Sequence, residues 1–111
     1  MPNKIGIDIC QISRMKIDDA KFLARFLHPQ ELERLKTIQN PDVQRQFAAG
    51  RWAVKEAMYK AWNFPNAFSE ILVSGDQEKP VVTEPQICRD FEISISHDGN
   101  FAIAVAILNR N

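Results

Sequence analysis

The chain has 111 residues, enough for one compact domain, because single-core domains commonly run to about 100 to 150 residues. Hydrophobic residues make up 45% and charged residues 25%, which is typical of a soluble folded protein and excludes disordered or collagen-like structure. Fourteen basic residues balance fourteen acidic residues, so no overall field attracts nucleic acid or an anionic membrane. We therefore expect one domain over residues 1–111, local phosphate-binding clusters and, because a small neutral domain leaves apolar surface uncovered, oligomerisation.

The cysteines and the start of the chain predict a compartment. Cys10 and Cys88 are too few and too far apart for a disulfide framework or a CxxC zinc site, so we interpret them as small hydrophobic residues in a reducing compartment. The first residues lead directly into an apolar alternation, which leaves no room for a secretion signal, and no run of about 18 apolar residues could span a membrane. We expect a cytoplasmic protein, with a mitochondrial location as the alternative.

A strand is predicted at residues 5–10. Isoleucines at positions 5, 7 and 9 alternate with smaller or polar residues, which is the period of a strand with one buried face. The alternation predicts that the isoleucines face the core and that Asp8 lies on the opposite face, beside Gly6. Because aspartate is depleted within strands, Asp8 is either an exposed or capping acid or a ligand of a hard cation.

Three helices are predicted next. Apolar residues recur at helical spacing over residues 18–36 and are interrupted at His28, which precedes a proline, so this stretch should form two short helices. Asn40 also precedes a proline and has the side chain of an N-cap, which indicates the start of a third helix. Residues 63–66 contain helix breakers, so this long helix should run over residues 41–62.

The long helix has two faces when it is drawn at about 100° per residue. One side collects apolar and small residues, namely Phe47, Ala53, Val54, Ala57, Met58 and Ala61. The other side collects Trp52, Glu56, Tyr59 and Lys60, with Arg51 and Lys55 on or beside it. Taken alone, Glu56 and Lys60 read as a solvated pair one turn apart. The neighbouring cations and aromatic rings suit either a nucleotide that carries phosphates or a subunit interface.

Two hairpins are predicted after the long helix. Short apolar runs at residues 71–73 and 80–82 flank a polar turn, and the proline at position 80 restricts the second run to weak or edge pairing. Residues 91–96 alternate, residues 101–108 are mostly apolar, and Asp-Gly between them is a strong hairpin signal. His97 falls in this predicted turn, where it is either solvated or able to donate to a phosphate.

No single motif in the sequence establishes a function, since there is no glycine-rich phosphate loop, no Ser-His-Asp order of a known type and no H-E-x-x-H. Three segments together, however, resemble the holo-acyl-carrier-protein synthase family of 4′-phosphopantetheinyl transferases. They are Gly6–Ile9 near the start, Phe47–Ala57 with Lys60 in the centre, and Ile93–His97 near the end. The three segments span almost the whole chain, in the order and at the separations of that family.

The resemblance implies a fold, an assembly and a reaction. The implied fold is α+β, with a small antiparallel sheet packed against a long central helix and shorter helices. The implied assembly is a homotrimer in which coenzyme A binds between neighbouring subunits. The implied reaction transfers 4′-phosphopantetheine from coenzyme A to a serine of an apo acyl carrier protein and releases 3′,5′-ADP, as a step of fatty acid biosynthesis.

The resemblance also implies residue roles. Asp8 and Glu56 would hold Mg²⁺, or Mn²⁺ in its place, with the coenzyme A pyrophosphate and water completing an octahedral shell. Lys60 would offset the negative charge that develops as 3′,5′-ADP leaves. Coenzyme A would be bound by Arg51, Lys60, His97 and Lys79. The carrier serine would be deprotonated by Glu56 or, as we prefer, by a water on the metal that Glu56 assists.

A basic group precedes and enters the first helix. It consists of Arg14, Lys21 and Arg25, and it resembles the surface on which this family docks its carrier protein. Carrier proteins are acidic, so the attraction would chiefly speed the encounter.

The sequence departs from the family pattern in two places, and two alternatives remain open. The family usually has a glycine-bearing loop after the central helix, where this chain has Trp62–Asn66, and it often has Gly-Lys-Pro, where this chain has Glu78–Pro80. Both departures border the expected pocket, so they bear on substrate fit rather than on magnesium chemistry. The alternatives are a small α+β ligand-sensing or interaction module without catalysis, and a metal-dependent phosphohydrolase that uses the same acids.

Overall fold

The computed structural model describes residues 4–76 and 79–109. Its regular elements, in chain order, are β1 (Lys4–Gln11), α1 (Ala20–Ala24), α2 (Pro29–Thr37), α3 (Pro41–Ala61), β2 (Leu72–Ser74), β3 (Val81–Glu84), β4 (Phe91–Asp98) and β5 (Phe101–Leu108). Short 3-10 turns occupy Ile12–Arg14, Phe68–Glu70 and Gln86–Cys88. No helix within the two described ranges is both long and apolar enough to cross a membrane.

The main sheet is antiparallel, with the strand order β1-β5-β4, and α3 packs across one of its faces. The residues that face each other here are small, since Ala102, Ala104 and Ala106 of β5 and Ala53 and Ala57 of α3 are at most 2% exposed. Small side chains let a helix and a sheet approach closely without leaving voids. The predicted fold, a small antiparallel sheet packed against a long central helix, is thus confirmed.

The prediction for the buried face of β1 is wrong. Its three isoleucines are 67%, 59% and 60% exposed, whereas Gly6 and Cys10 are buried against α3. The reason is the close approach of the helix at Gly6, where a Cβ atom would lie only 1.9 Å from the Ala57 carbonyl oxygen. A strand face with glycine can therefore lie closer to the helix than a face of isoleucines. As a result, Asp8 lies on the face that meets α3.

The opposite face of β1 and β5 is apolar and exposed. In the strand register, Ile5 pairs with Ile107, Ile7 with Val105 and Ile9 with Ile103, and Phe101 pairs with Gln11. Five of the hydrophobic residues on this surface, namely Ile5, Ile7, Ile9, Phe101 and Ile103, are between 38% and 67% exposed. We call this surface the outer sheet face. A contiguous apolar surface of this kind commonly marks a site of association.

The helix boundaries follow local sequence signals, as predicted. The Nδ1 atom of His28 accepts a hydrogen bond from the Gln30 amide at 3.0 Å and so caps α2. The Asn40 side chain accepts from the Asp42 amide at 2.8 Å and caps α3, which ends at Trp62. The predicted break between the two short helices and the predicted extent of the long helix are confirmed.

Both hairpins form, but one turn lies elsewhere than predicted. β4 and β5 pair up to Asp98 and Phe101, so the turn consists of Gly99 and Asn100, and Gly99 has a φ of +56°. His97 therefore lies in β4, paired with Ala102, and not in the turn. β2 and β3 pair as predicted, and residues 77–78 of their connection lie outside the described residues.

Candidate functional site

The candidate site lies where β1 crosses the C-terminal half of α3. The Nζ atom of Lys60 donates hydrogen bonds to Asp8 Oδ1 at 2.9 Å and to the Ile7 carbonyl at 3.2 Å. The Lys60 side chain is 53% exposed and the Asp8 side chain 16% exposed. The pair therefore lies at the edge of the helix and sheet interface, with the lysine open to solvent.

Glu56 completes this cluster one helical turn before Lys60. Burial raises the pKa of Glu56, the nearby charge of Asp8 raises it further, and the Lys60 ammonium opposes the rise. Two carboxylates that repel each other electrostatically gain from a cation placed between them. The structure thus brings together Asp8, Glu56 and Lys60, as the sequence predicted.

The donor set of this cluster fits a hard divalent cation. Both acids offer carboxylate oxygens, and Mg²⁺ is usually bound through one or two carboxylates together with substrate phosphates and water. Over residues 4–76 and 79–109, no three histidine, cysteine, aspartate or glutamate side chains converge as a metal site. A protein cage that encloses the cation is therefore not what this cluster offers, whereas a site shared with a phosphate substrate is.

Arg51 and Lys55 are not part of the exposed face of α3, so that prediction is wrong. Both side chains are 0% exposed. They point into a polar network around Glu31, whose Oε1 atom accepts from Lys55 Nζ at 2.5 Å. The helical wheel placed the two cations on or beside the polar face. In the structure, α2 and the Phe68–Glu70 turn cover Lys55, and the β2 end covers Arg51.

The guanidinium of Arg51 lies under the β2–β3 connection. Its NH2 atom donates to the carbonyls of Val73 at 3.2 Å and Gly75 at 3.4 Å, and its plane lies 4.4 Å from the centre of the Phe47 ring. Burial lowers the pKa of Arg51 to about 10, although Glu31 partly opposes this. In the part of the chain that the structure describes, Arg51 Nε and NH1 have no hydrogen-bond partner. Its predicted contact with coenzyme A stays a prediction.

His97 packs beside the first half of α3, and Lys79 lies in the connection after β2, beside Gly75. The Nε2 atom of His97 is 3.3 Å from the Gln46 carbonyl, and Lys79 is exposed in the connection after β2. Gly50, which adjoins His97, precedes Glu56 by six residues, a distance of about 9 Å along a helix that rises about 1.5 Å per residue. Of the predicted coenzyme A residues, Lys60 thus lies in the carboxylate cluster, whereas His97 lies beside α3 at Gln46 and Gly50, before the turn that carries Glu56.

The predicted docking cations lie at the surface around α1 and the turn after β1. Arg14, Lys21 and Arg25 are exposed, and Arg14 lines a cavity of about 680 Å³ together with Phe22 and Trp52. The rings of Phe22 and Trp52 stack with their centres 6.4 Å apart. Trp52 precedes Glu56 by one turn of α3, so one wall of this cavity lies about 6 Å along the helix from the carboxylate cluster.

Sequence reasoning missed Glu31, which is 2% exposed. Its position three residues after His28 is a capping-box signal, and its Oε1 atom does accept from the His28 amide at 2.9 Å. That signal predicts a helix start, but it does not predict a buried partner for Lys55, because the partner lies 24 residues away in the sequence.

Comparisons with known proteins agree on one family. Residues 4–106 match the model of the 4′-phosphopantetheinyl transferase superfamily. A holo-[acyl-carrier-protein] synthase of Mycoplasma capricolum is 34% identical over 107 residues, which cover 96% of this chain and 94% of the relative. One of Streptococcus thermophilus is 38% identical over 113 residues, with coverage of 96% and 94%.

Solved structures agree in fold as well. The holo-(acyl-carrier-protein) synthase of Bacillus anthracis, in complex with CoA (3′,5′-ADP), aligns with a TM-score of 0.79 at 32% identity and covers 95% of this chain and 94% of its own. The Helicobacter pylori holo-[acyl-carrier-protein] synthase in complex with coenzyme A aligns with a TM-score of 0.72 at 35% identity, with coverage of 92% and 96%.

Proposed function

The chain belongs to the 4′-phosphopantetheinyl transferase superfamily, and from this membership we propose that it transfers 4′-phosphopantetheine from coenzyme A to a serine of an apo acyl carrier protein. The enzyme releases 3′,5′-ADP, because the bond that breaks joins the two phosphorus atoms of the pyrophosphate through oxygen. The observation that carries the proposal is the cluster of Asp8, Glu56 and Lys60, which come from two distant segments of the family pattern.

A divalent cation at Asp8 and Glu56 is part of the proposal. The two mutually repelling carboxylates support it, since their oxygen ligands suit Mg²⁺, or Mn²⁺ in its place. When bound, the cation would offset charge on the pyrophosphate and on both carboxylates. The two acids would then serve as ligands at a site open to substrate.

The side chains themselves have separate tasks in the reaction. Glu56, whose pKa is raised by burial and by Asp8, is suited to accept the proton of the carrier serine as the serine oxygen bonds to phosphorus. Lys60 already donates to Asp8, and its exposed ammonium offsets charge on the departing 3′,5′-ADP. Lys60 also keeps Asp8 oriented toward α3.

We also propose a homotrimer in which each site lies between neighbouring copies. The exposed apolar outer sheet face supports association, since five large hydrophobic residues there are open to solvent in one chain. The separation along α3 between the carboxylate cluster and His97 supports a shared site. A neighbouring copy would supply its His97 and its exposed Lys79 to the carboxylate cluster of this one. Cytoplasmic placement belongs to the same proposal, and two buried cysteines without a disulfide are consistent with it.

One assay tests the reaction. The protein is incubated with coenzyme A, Mg²⁺ and an apo acyl carrier protein, and mass spectrometry follows the carrier. We expect the mass of one phosphopantetheine group to be added, and we expect EDTA to prevent the addition. A binding module would leave the carrier unchanged, and a phosphohydrolase would consume coenzyme A without the carrier.

A further inference from the structure

Lys55 lies in α3 directly before Glu56, and its side chain is fully buried. Its ammonium donates to the Phe26 carbonyl at 2.6 Å, to Glu31 Oε1 at 2.5 Å and to the Phe68 carbonyl at 3.1 Å. An ammonium has three protons, so this group is fully used inside the protein. It contacts neither the carboxylate cluster nor solvent.

The acceptors of Lys55 belong to segments far apart in the sequence. Phe26 lies just after α1, Glu31 lies in the first turn of α2, and Phe68 begins the 3-10 turn before β2. Glu31 extends the network, because its Oε2 atom accepts from the Val73 amide at 3.0 Å. One side chain of α3 thus connects the end of α1, the start of α2 and the segment that leads into β2.

The position of α1 depends on such connections. This helix has five residues, too few to be stable by itself, and Leu23 is its one buried residue. Two rings hold it to α3, since Trp52 contacts Phe26 at 5.1 Å and Phe22 at 6.4 Å between ring centres. Stacked aromatic rings can slide past each other at little energetic cost. A hydrogen bond from an ammonium to a backbone carbonyl instead fixes both the distance between the two segments and their relative orientation.

We propose that Lys55 is a positioning residue for carrier docking: its bond to the Phe26 carbonyl fixes α1, and with it Lys21 and Arg25, relative to Glu56. The inference rests on the proposed function and on the docking role that the family resemblance implies for those cations. Displacement of these cations would weaken the encounter with an acidic carrier, whereas Glu56 would keep its place in α3. Lys55 acts on the carrier through α1 and touches no substrate.

The test uses two variants that remove the bond to Phe26. Lys55→Met leaves Glu31 as a buried charge without its partner, which destabilises the protein. The double variant Lys55→Met/Glu31→Gln removes both charges of the closest pair together, and such replacements are often neutral for stability. Arg51 then loses its ion pair with Glu31 but keeps its hydrogen bonds to the Val73 and Gly75 carbonyls. Leu108→Ala is the matched control, because it weakens the core at the far end of β5 without touching the network.

Steady-state kinetics gives the first readout, at a temperature where each variant is folded by circular dichroism. We expect the double variant to raise the KM for the carrier about tenfold, while kcat and the KM for coenzyme A change less than about twofold. Hydrogen exchange gives the second readout, and we expect faster exchange at residues 20–27 of the double variant but not of the Leu108→Ala control.

Each other outcome overturns the inference. A double variant with an unchanged KM for the carrier would show that Lys55 only stabilises the fold, as would equal increases in both KM values. Loss of folding in both Lys55 variants would show the same. If the wild-type protein itself transfers no phosphopantetheine, the proposed function fails instead, and that result is distinct from a variant-specific one.

Discussion

Two clusters on α3 pair a lysine with an acid, and they differ in solvent exposure. Lys60 bonds Asp8 at 2.9 Å with its side chain 53% exposed, whereas Lys55 bonds Glu31 at 2.5 Å with its side chain 0% exposed. Burial lowers the pKa of Lys55 to about 8, against the opposing effect of Glu31. The buried pair is satisfied within the protein. The exposed pair adjoins Glu56, and two carboxylates with one lysine still leave net negative charge for a cation.

The comparison predicts the largest effect on activity at the exposed cluster. Asp8→Ala and Glu56→Ala should each reduce phosphopantetheine transfer by about 10³-fold, because losing a ligand loses several kcal/mol of charge stabilisation. Initial rates measured by carrier mass check this, with Glu33→Ala, an exposed acid on α2, as the control. Normal Mg²⁺-dependent turnover in either variant would refute the ligand assignment.

The largest effect on stability should arise at the buried cluster. Lys55→Met should lower the free energy of unfolding by about 3–5 kcal/mol, because it leaves a buried carboxylate without its partner. Lys60→Ala should lower it by less than about 1 kcal/mol, because its pair is exposed. Urea titrations followed by circular dichroism measure both values. Equal losses would erase the distinction between the clusters.

Lys60 should matter more for chemistry than for stability. Lys60→Ala should lower kcat about 10- to 100-fold, since charge on the leaving group loses an offsetting cation, while coenzyme A binding changes little. Single-turnover rates and calorimetric titration with coenzyme A separate the two effects. A weakened affinity with a normal single-turnover rate would assign Lys60 to binding instead.

A smaller effect is expected at the docking cations. Arg14→Glu should raise the KM for the carrier about tenfold at low salt, and the difference from wild type should shrink as salt screens the charge. Arg45, which is half-buried and pairs with the exposed Asp42 at 3.0 Å on the first turns of α3, offers the control Arg45→Glu. An effect that does not vary with salt would remove the electrostatic role of Arg14.

The smallest effect concerns the titration of Glu56 in the metal-free protein. Its raised pKa means that the stability it contributes is present at low pH and lost as the pH rises through the folded-state pKa. Asp8→Asn removes one cause of the rise, so the pKa of Glu56 should fall and this loss should become smaller. A carbon-13 titration of the Glu56 carboxyl checks the direction, and an unchanged pKa would show that the two acids do not interact.

Local signals in the sequence predicted the helices well. The ends of α3 could be predicted from the sequence because both are set by nearby residues. Asn40 caps its start before a proline, and helix-breaking residues follow Trp62. The family pattern then selected Asp8, Glu56 and Lys60, which the fold does bring together. What could be predicted was therefore either local or carried by the resemblance.

The failures have a common cause, which is that burial is decided by neighbours distant in the sequence. The alternation of residues in β1 predicted a strand but not which of its faces is buried. The buried face is the one with Gly6, because a residue without a side chain lets α3 pack closely. Helical spacing placed Arg51 and Lys55 on or beside the polar face of α3. Their burial depends on Glu31 of α2, which is distant from both in the sequence. The Asp-Gly pair correctly predicted the second hairpin. The turn itself, however, consists of Gly99 and Asn100, so His97 belongs to β4 and not to the turn.

The contact at Gly6 has a consequence for the spacing of the two metal-ligand candidates. Asp8 lies two residues further along β1, and Glu56 precedes Ala57, whose carbonyl oxygen faces Gly6. Any residue larger than glycine at position 6 would clash with the backbone of α3 at Ala57 and increase the distance between β1 and the helix. The absence of a Cβ atom at position 6 therefore helps to set the distance between Asp8 and Glu56, the two acids for which we propose a shared cation.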